Sequence, residues 1–354
     1  MARFGLFLHA SDRQVPRDRL FEELSEEAVL AESVGFEACL IAEHHQSPNG
    51  HYPAPLMLAA AIAARTQRIR VGSSVLLAPL YHPVHLAEES AMLDVISSGR
   101  AILGLGIGYS PRDFDPFGVS LGERASRMED HLRFLKQAWT RDHVSFDGKH
   151  YSFEDVSIHP KPVQQPHPPI WVGGAVPRAI DRAARYGDAW IGFPFYDVDG
   201  VAERAKLYRE RAAVHGRGAT VALRRDVWVA QDRDTAFAEY RPAIESFQRF
   251  MRELHSADAW FRELHDRDAQ EQVVTERLLL GTPEDCVRTA RRYIEQAGVD
   301  WFIMRFRQPD GPSHEKVMRA IELFGREVVS KLAPATPPDS MLADPIGGAC
   351  ERTE

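Results

Sequence analysis

Short apolar runs rich in β-branched and aromatic residues alternate along this chain with longer stretches of helical period. This alternation is typical of consecutive parallel βαβ units. The predicted strands are Phe4 to His9, Ala38 to Ala42, Ile69 to Leu77, Ala101 to Ile107, Ile170 to Val172, Ala189 to Gly192, Asp226 to Ala230 and Trp301 to Phe306. Because eight strands that are each followed by a helix can close on themselves, we predict an α/β fold, a (β/α)8 TIM barrel with insertions at its C-terminal mouth.

The predicted helices have recognisable ends, with proline near several starts and glycine after several ends. They are Leu20 to Ser33, Pro55 to Arg65, Pro83 to Ile96, Arg124 to Thr140, Pro177 to Tyr186, Asp199 to His215, Pro283 to Ala297 and His314 to Leu332. A doubly wound open sheet is the structural alternative. It is disfavoured because no glycine-rich phosphate turn follows the first strand.

The length of 354 residues allows two average domains or one large barrel with insertions. We predict a single domain over residues 1–333. A charged, aromatic-studded helical insertion at about residues 232–275 is interpreted as a mobile lid, since long connections in compact domains are usually functional. Residues 334–354 are predicted to be a disordered tail.

Charge and cysteine content restrict the class of partner. The net charge of -8 is spread along the chain without a basic block, which argues against nucleic acid or an anionic membrane as partner. Cys39, Cys286 and Cys350 are too few and too scattered for a disulfide framework or a thiolate metal site, so we expect no metal and a cytoplasmic location. The apolar run at the N-terminus is too short for a signal sequence.

Ionisable residues follow the second predicted strand in the run Glu43-His44-His45. The carboxyl ends of barrel strands carry the catalytic groups of this fold. Because adjacent side chains on a strand point opposite ways, at least one histidine should face the mouth. We interpret all three residues as catalytic candidates, with histidine as the proton carrier. The alternative is that one histidine caps the strand while the other is merely exposed.

Four further strand ends are candidates for ligand binding. Ser74 lies in the small-residue end of the third strand, and Gly104 and Gly106 belong to a glycine run in the fourth that is not a dinucleotide fingerprint. That run indicates either close approach to a ligand or tight barrel packing. The fifth strand enters a helix through residues 173–176, and Arg178 follows, which predicts an anion site or a plain turn. At the end of the eighth strand, Arg305 could meet an anionic substrate or pair with an acidic neighbour.

Taken in order, these segments resemble the bacterial luciferase-like flavin monooxygenases from about Phe4 to Leu332. The residues that carry the resemblance are Glu43-His44-His45, Ile69-Arg70-Val71-Gly72 continuing to His82-Pro83, Ala87-Glu88-Glu89, Leu93 to Arg100, Asp113-Phe114 with Phe117-Gly118, Trp171-Val172-Gly173-Gly174, and Gly281 to Cys286. So many matches in order are highly specific for the fold.

The resemblance implies that reduced FMN lies across the barrel mouth, that a separate flavin reductase supplies it, and that a small, mainly apolar substrate is oxidised with dioxygen. His44 matches the catalytic histidine, which would assist the flavin hydroperoxide. A non-proline cis peptide bond, here Ser74-Val75, is implied beneath the flavin ring. The cofactor contacts expected on this basis are Ser74, Val75, Gly106, Ile107, Tyr109, Gly173, Gly174, Ala175, Val176, Arg178 and Arg124. We also expect a homodimer.

One departure from the family pattern concerns the cofactor phosphate. Where many members have an arginine in the fourth-strand glycine run this chain has Ile107, and Val176 replaces the usual hydroxyl residue. The phosphate would then rely on the amides of residues 174–176 and on an arginine, with Arg178, Arg124 and Arg127 as candidates. A deazaflavin-dependent hydride-transfer oxidoreductase is therefore kept as an alternative, as is a non-catalytic flavin-holding subunit.

Overall fold

Eight parallel strands close into a barrel in the computed structural model, which describes residues 1–9, 15–46, 52–253 and 277–334. Strand β1 pairs with both β2 and β12, and β10 pairs with both β9 and β12, so the ring has no free edge. In spatial order the strands are β1 (Arg3–Leu8), β2 (Ala38–Ile41), β3 (Arg70–Ser73), β5 (Ala101–Gly106), β8 (Ile170–Gly173), β9 (Ala189–Gly192), β10 (Thr220–Val229) and β12 (Trp301–Arg305).

Four shorter strands complete the sheets. Strand β4 (Leu76–Leu77) follows β3 and pairs with the end of β5, while β11 (Leu279–Gly281) pairs with the end of β10. Strands β6 (Val144–Asp147) and β7 (Ser152–Val156) form a separate antiparallel hairpin. The predicted TIM-barrel fold is confirmed.

Helices surround the ring and connect its strands. They are α1 (Arg17–Ser33), α2 (Pro55–Ala63), α3 (Pro83–Ile96), α4 (Pro111–Phe114), α5 (Arg124–Thr140), α6 (Pro177–Tyr186), α7 (Val198–Val214), α8 (Arg233–Glu253), α9 (Pro283–Ala297) and α10 (His314–Phe324), the last followed by a π-helical turn at Gly325–Val329 and a short helix at Ser330–Leu332. Proline occupies the first turn of five of them. A backbone N–H in the first turn has no partner within the helix, so the lack of an N–H in proline costs no hydrogen bond there. Helix α9 shows both end signals, a capping box between Thr282 and Asp285 and a left-handed Gly298 after its end.

The largest difference from the predicted elements is in β10. The prediction began at Asp226, whereas the strand begins at Thr220. Arg224, Arg225 and Asp226 interrupt the apolar pattern from which the strand was predicted. Helix α8 begins the predicted insertion, and residues 254–275 lie outside the described residues, as does the predicted tail from residue 335 onward.

The barrel interior is filled by an apolar cluster separate from the core between sheet and helices. Its largest members are the side chains of Phe7, Leu40, Trp171, Trp301 and Ile303. Trp171 and Trp301 pack edge to face with ring centroids 5.2 Å apart. Because this cluster plugs the interior, ligands are restricted to the mouth at the carboxyl ends of the strands. In the described part of the chain no helix is both long and apolar enough to cross a membrane.

Candidate active site at the barrel mouth

Two unlike walls face each other across the mouth. The small-residue wall comprises Ser74, Val75, Gly104, Gly106 and Gly173, at the ends of β3, β5 and β8. The charged wall comprises His9, Arg224, Asp226 and Arg305, at the ends of β1, β10 and β12. Side chains alternate along a strand, so the charged residues continue the inward rows of the barrel cluster. Strands β3 and β10 are four places apart in the ring of eight, so the two walls lie on opposite sides.

His44 and Asp113 form a hydrogen-bonded pair at the edge of the mouth. His44 follows β2, and Asp113 lies on α4. Nδ1 of His44 is 3.0 Å from Oδ2 of Asp113, and the backbone N–H of His45 donates to the other carboxylate oxygen at 2.7 Å. Burial favours the neutral acid, but the hydrogen bonds from His44 and His45 outweigh it, so the pKa of Asp113 lies below its ordinary value. Asp113 therefore orients the His44 ring as an ionised acceptor.

Glu43 and His45 pair with each other. His45 Nε2 lies 2.8 Å from Glu43 Oε1, and the buried Glu43 also accepts the Tyr81 hydroxyl at 2.9 Å and the backbone N–H of Leu77 at 2.6 Å. Burial and the Glu43 charge raise the pKa of Tyr81, so its phenol stays protonated. Glu43 thus connects the end of β2 to the segment after β3. Of the three predicted catalytic residues, His44 is the one whose ring contacts Tyr109, a predicted cofactor contact, with centroids 5.6 Å apart.

The small-residue wall is shaped by a non-proline cis peptide bond at Ser74-Val75, as the family resemblance implies. A Cβ added to Gly106 would lie 2.4 Å from Val75 Cγ2, and one on Gly104 would lie 2.0 Å from the carbonyl oxygen of Ser73. A Cβ on Gly173 would lie 3.1 Å from Val75 Cγ1. Gly104 and Gly106 are therefore tightly packed, as one of the two interpretations from the sequence expected, and ligand contact at Gly106 stays a prediction.

The turn from β8 into α6 differs from the predicted anion site in one respect. The amide of Gly174 donates to the carbonyl of Ile191 at 3.3 Å, so it is already used within the barrel. Its carbonyl accepts the indole N–H of Trp190 at 2.8 Å. The amides of Ala175 and Val176 have no hydrogen-bond acceptor among the residues that the structure describes. The prediction is corrected accordingly, and these two amides are the ones that an anion could reach.

The three candidate arginines occupy different surroundings. Arg127 is engaged with Glu123 at 3.1 Å and with the Tyr151 hydroxyl at 2.9 Å, so it is the poorest candidate for a phosphate. Arg124 donates to the carbonyl of Leu121, and its buried Nε has no partner within the described ranges. Arg178 is exposed in the first turn of α6, beside the two available amides. Ile107, in the place of the family arginine, packs half-buried against the core.

Arg305 and Asp226 form a bidentate ion pair in the charged wall, with N–O distances of 2.7 and 2.6 Å. Burial opposes ionisation of Asp226, but the Arg305 guanidinium holds its pKa below the ordinary value. Arg224 lies with its guanidinium carbon 5.1 Å from the Phe7 ring centroid. Burial, reinforced by both arginines, lowers the pKa of His9 well below its ordinary value. Sequence reasoning missed Arg224 and Asp226 as site residues because it began the predicted strand at Asp226, whereas β10 begins at Thr220.

Comparisons with known proteins agree with this geometry. A family model described as luciferase-like monooxygenase matches residues 2–300. The crystal structure of monooxygenase RslO1 from Streptomyces bottropensis has a TM-score of 0.85 and 27% identity, covering 94% of this chain and 100% of that chain. An FMNH2-dependent dimethylsulfone monooxygenase of Pseudomonas putida is 28% identical over 324 residues, 85% of each chain. An F420-dependent glucose-6-phosphate dehydrogenase of Amycolatopsis mediterranei is 27% identical over 340 residues, 90% of this chain and 95% of that one.

The relatives named above therefore include enzymes of both kinds considered from the sequence, one dependent on FMNH2 and one on F420, which is a deazaflavin. The match of the family model extends from the first barrel strand to the loop before the last. The family expected from the sequence is confirmed, and the chain belongs to the luciferase-like monooxygenase family of oxidoreductases.

Proposed function

We propose that this protein is a monooxygenase that takes reduced FMN from a separate flavin reductase and uses dioxygen to oxidise a small, mainly apolar organic substrate. The observation that carries the proposal is the hydrogen-bonded His44–Asp113 pair at the edge of the mouth. The two opposite walls of this mouth suit a flat ring and a small ligand. The monooxygenase relative covered over 85% of its length supports the choice of cofactor.

The residues of the mouth fit a flavin mononucleotide. Gly106 and Gly173, with the cis-linked Ser74 and Val75, provide a surface with few protruding side chains, against which a flat ring can lie. The amides of Ala175 and Val176, with Arg178 beside them, suit the phosphate, because the start of a helix favours anions. A bound reduced flavin would supply the two electrons that activate dioxygen, with one oxygen atom going to the substrate and the other to water.

The chain's own residues would supply a positioned proton. Asp113 accepts the Nδ1 hydrogen of His44, which fixes the ring and places Nε2 on the opposite side from the carboxylate. When the ring is doubly protonated, its Nε2 proton can stabilise negative charge that develops on oxygen near the ring, and it can be replaced from solvent. The backbone N–H of His45 holds the carboxylate in place. The apolar barrel cluster below keeps water out of the interior.

Hydride transfer with a deazaflavin is the second candidate function. The specific observations that favour it are Ile107 and Val176 at the two positions where the family pattern provides phosphate contacts, together with the F420-dependent relative. A deazaflavin passes hydride but does not activate dioxygen, so the two candidates predict different reactions with oxygen.

The homodimer is proposed to form through helices α2 and α3, which are neighbours on the outside of the barrel. Both expose apolar side chains: Met57 is 76% exposed, and Met92, Val95 and Ile96 are 41%, 37% and 48% exposed. Apolar side chains exposed on adjacent helices are typical of a surface that another protein covers.

The test of the proposed function needs no knowledge of the substrate. Protein loaded with reduced FMN is mixed with oxygen, and we expect a transient near-ultraviolet absorbance that outlives the one given by free reduced FMN. His44→Ala should shorten this lifetime roughly tenfold, the effect of losing one hydrogen bond of about 1.4 kcal/mol. Asp113→Asn should shorten it less, since the ring is kept but held less firmly.

The matched control is His143→Ala, because His143 is an exposed histidine on the surface hairpin. This variant should behave as the unmodified protein does. Circular dichroism checks that all variants are folded. A wild-type protein that shows no such transient but transfers hydride from reduced deazaflavin to an acceptor would establish the second candidate instead.

A further inference from the structure

We propose that the charged wall contains an anion-binding subsite centred on Arg224, and that the substrate therefore carries a carboxylate or sulfonate group on a mainly apolar body. The proposal rests on the proposed function only in taking the barrel mouth as the place where substrate binds.

The charge balance of the wall is the first argument. Two guanidinium groups, Arg224 and Arg305, share one carboxylate, and both oxygens of Asp226 accept from Arg305. Nε of Arg224 is buried and has no hydrogen-bond partner within the described part of the chain. Burial and the Arg305 charge lower the pKa of Arg224 to about 10, so the guanidinium is still charged at neutral pH. A partly buried guanidinium that shares its counter-ion with a second one is unfavourable, and an anionic ligand would relieve the imbalance.

The other titratable groups that the structure describes near Arg224 do not supply the missing negative charge. The His9 ring is neutral at neutral pH and adds no negative charge, since burial and the two arginines lower its pKa. The pKa values of Tyr109 and Tyr240 are raised, in both cases chiefly by burial, so both phenols are uncharged at neutral pH. Asp113 is already committed to His44 and to the backbone of His45. Together with the Arg305–Asp226 pair, these residues leave the wall with one excess positive charge.

The position of Arg224 favours substrate over cofactor as the source of the anion. Strand β10 lies opposite β3 in the ring, so Arg224 faces the small-residue wall on which the flavin ring is proposed to lie. The proposed phosphate contacts follow β8, the strand of the small-residue wall that β9 separates from β10. The Phe7 ring 5.1 Å from the guanidinium carbon belongs to the apolar barrel cluster. A ligand between the walls would thus meet a cation at one end and apolar surface along its body.

The test compares anions with neutral partners of similar shape. Benzoate and benzamide, and methanesulfonate and methanesulfonamide, are titrated into the full chain with and without FMN, by calorimetry and by thermal shift. In the wild type we expect each anion to bind at least about tenfold more tightly than its neutral partner, because hydrogen bonds between charged groups are stronger than those between neutral groups. Arg224→Gln and Arg224→Met should abolish that preference. Arg19→Gln, at an exposed arginine on α1, is the matched control and should keep it.

Folding is monitored independently in the same experiment. Arg224→Met removes an uncompensated charge while keeping an apolar stem, so its ligand-free Tm should equal or exceed that of the wild type. A preference for anions that survives in this variant, or no preference in the wild type, would overturn the proposal.

Two other outcomes separate this inference from the proposed function. If Arg224→Met weakens binding of reduced FMN, whose ring is anionic, and leaves the anion preference intact, the arginine serves the cofactor and the subsite is wrong. If FMN does not bind while Arg224-dependent anion binding is present, the subsite stands and the proposed use of FMN fails.

Discussion

The two walls of the mouth reach their shapes by opposite physical means. The small-residue wall depends on atoms that are missing, since a single methyl group on Gly106 would come within 2.4 Å of Val75. The charged wall depends on groups that are present, since Asp226 and Arg305 are about nine-tenths buried and tolerate burial because they face each other. One wall is therefore sensitive to volume and the other to charge.

This difference indicates what each wall can select. A surface without protruding side chains accepts a flat ring by shape and makes no demand on its charge. A wall with an excess cation that is partly buried favours an opposite charge and discriminates against neutral ligands. The mouth as a whole is thus suited to one planar ligand and one charged ligand side by side.

The largest expected effect comes from removing the one carboxylate of the charged wall. Asp226→Ala leaves the buried Arg305 and the partly buried Arg224 without a counter-ion, and we expect it to lower the free energy of unfolding by about 3–5 kcal/mol. Urea unfolding of the ligand-free protein measures this free energy. The control is the double variant Asp226→Leu with Arg305→Met, which removes both charges of the ion pair. Its free energy of unfolding should fall much less. Equal losses in the single and double variants would show that packing, and not charge, is what the pair contributes.

A smaller effect is expected when volume is added to the small-residue wall. Gly106→Ala should lower the free energy of unfolding by about 1–3 kcal/mol, because a close-packed site must shift to admit a methyl group. Val75→Ala should partly rescue it, since the clash is with the Val75 side chain. Gly218→Ala, at an exposed glycine with open space around its Cβ position, serves as the control and should be neutral. Additive effects of Gly106→Ala and Val75→Ala would contradict the packing argument.

Much of the fold was predictable from local signals. The bounds of α3, α5, α6 and α9 agree with the sequence prediction. Proline marks the start of α3, α6 and α9, and glycine follows the end of each of these three. Most barrel strands were found because they are short and apolar. His44 was found as a candidate because ionisable residues at a strand end are conspicuous in an apolar context.

The partners of these residues were not predictable in the same way. Asp113 lies 69 residues from His44 along the chain, and nothing in its local sequence indicates which side chain it meets. Asp226 and Arg305 are 79 residues apart. The role of the glycines depends on the path of the chain at Ser74-Val75, which is a property of the assembled barrel. Local pattern thus identifies elements and candidates, whereas pairing across the barrel requires the fold.

The smallest predicted effect distinguishes the walls by their response to acid. The pKa of Asp226 is lowered in the folded protein, chiefly because the Arg305 charge outweighs burial. A lowered pKa means that the pair's contribution is complete above the ordinary pKa of an aspartate, near 3.9, and is lost as the pH falls towards the folded pKa. The stability difference between wild type and Asp226→Ala should therefore stay constant from about pH 7 to 5, and shrink below about pH 4 by up to about 1.4 kcal/mol per pH unit.

The difference between wild type and Gly106→Ala should not change over this range, because no proton is involved in a steric clash. Urea midpoints for the three proteins at pH 7, 5, 4 and 3.5 measure both differences. A difference for Asp226→Ala that instead grows as the pH falls from 7 to 5 would mean that burial, and not the Arg305 charge, dominates and raises the folded-state pKa of Asp226. The contrast between a wall made by charge and a wall made by volume would then have to be abandoned.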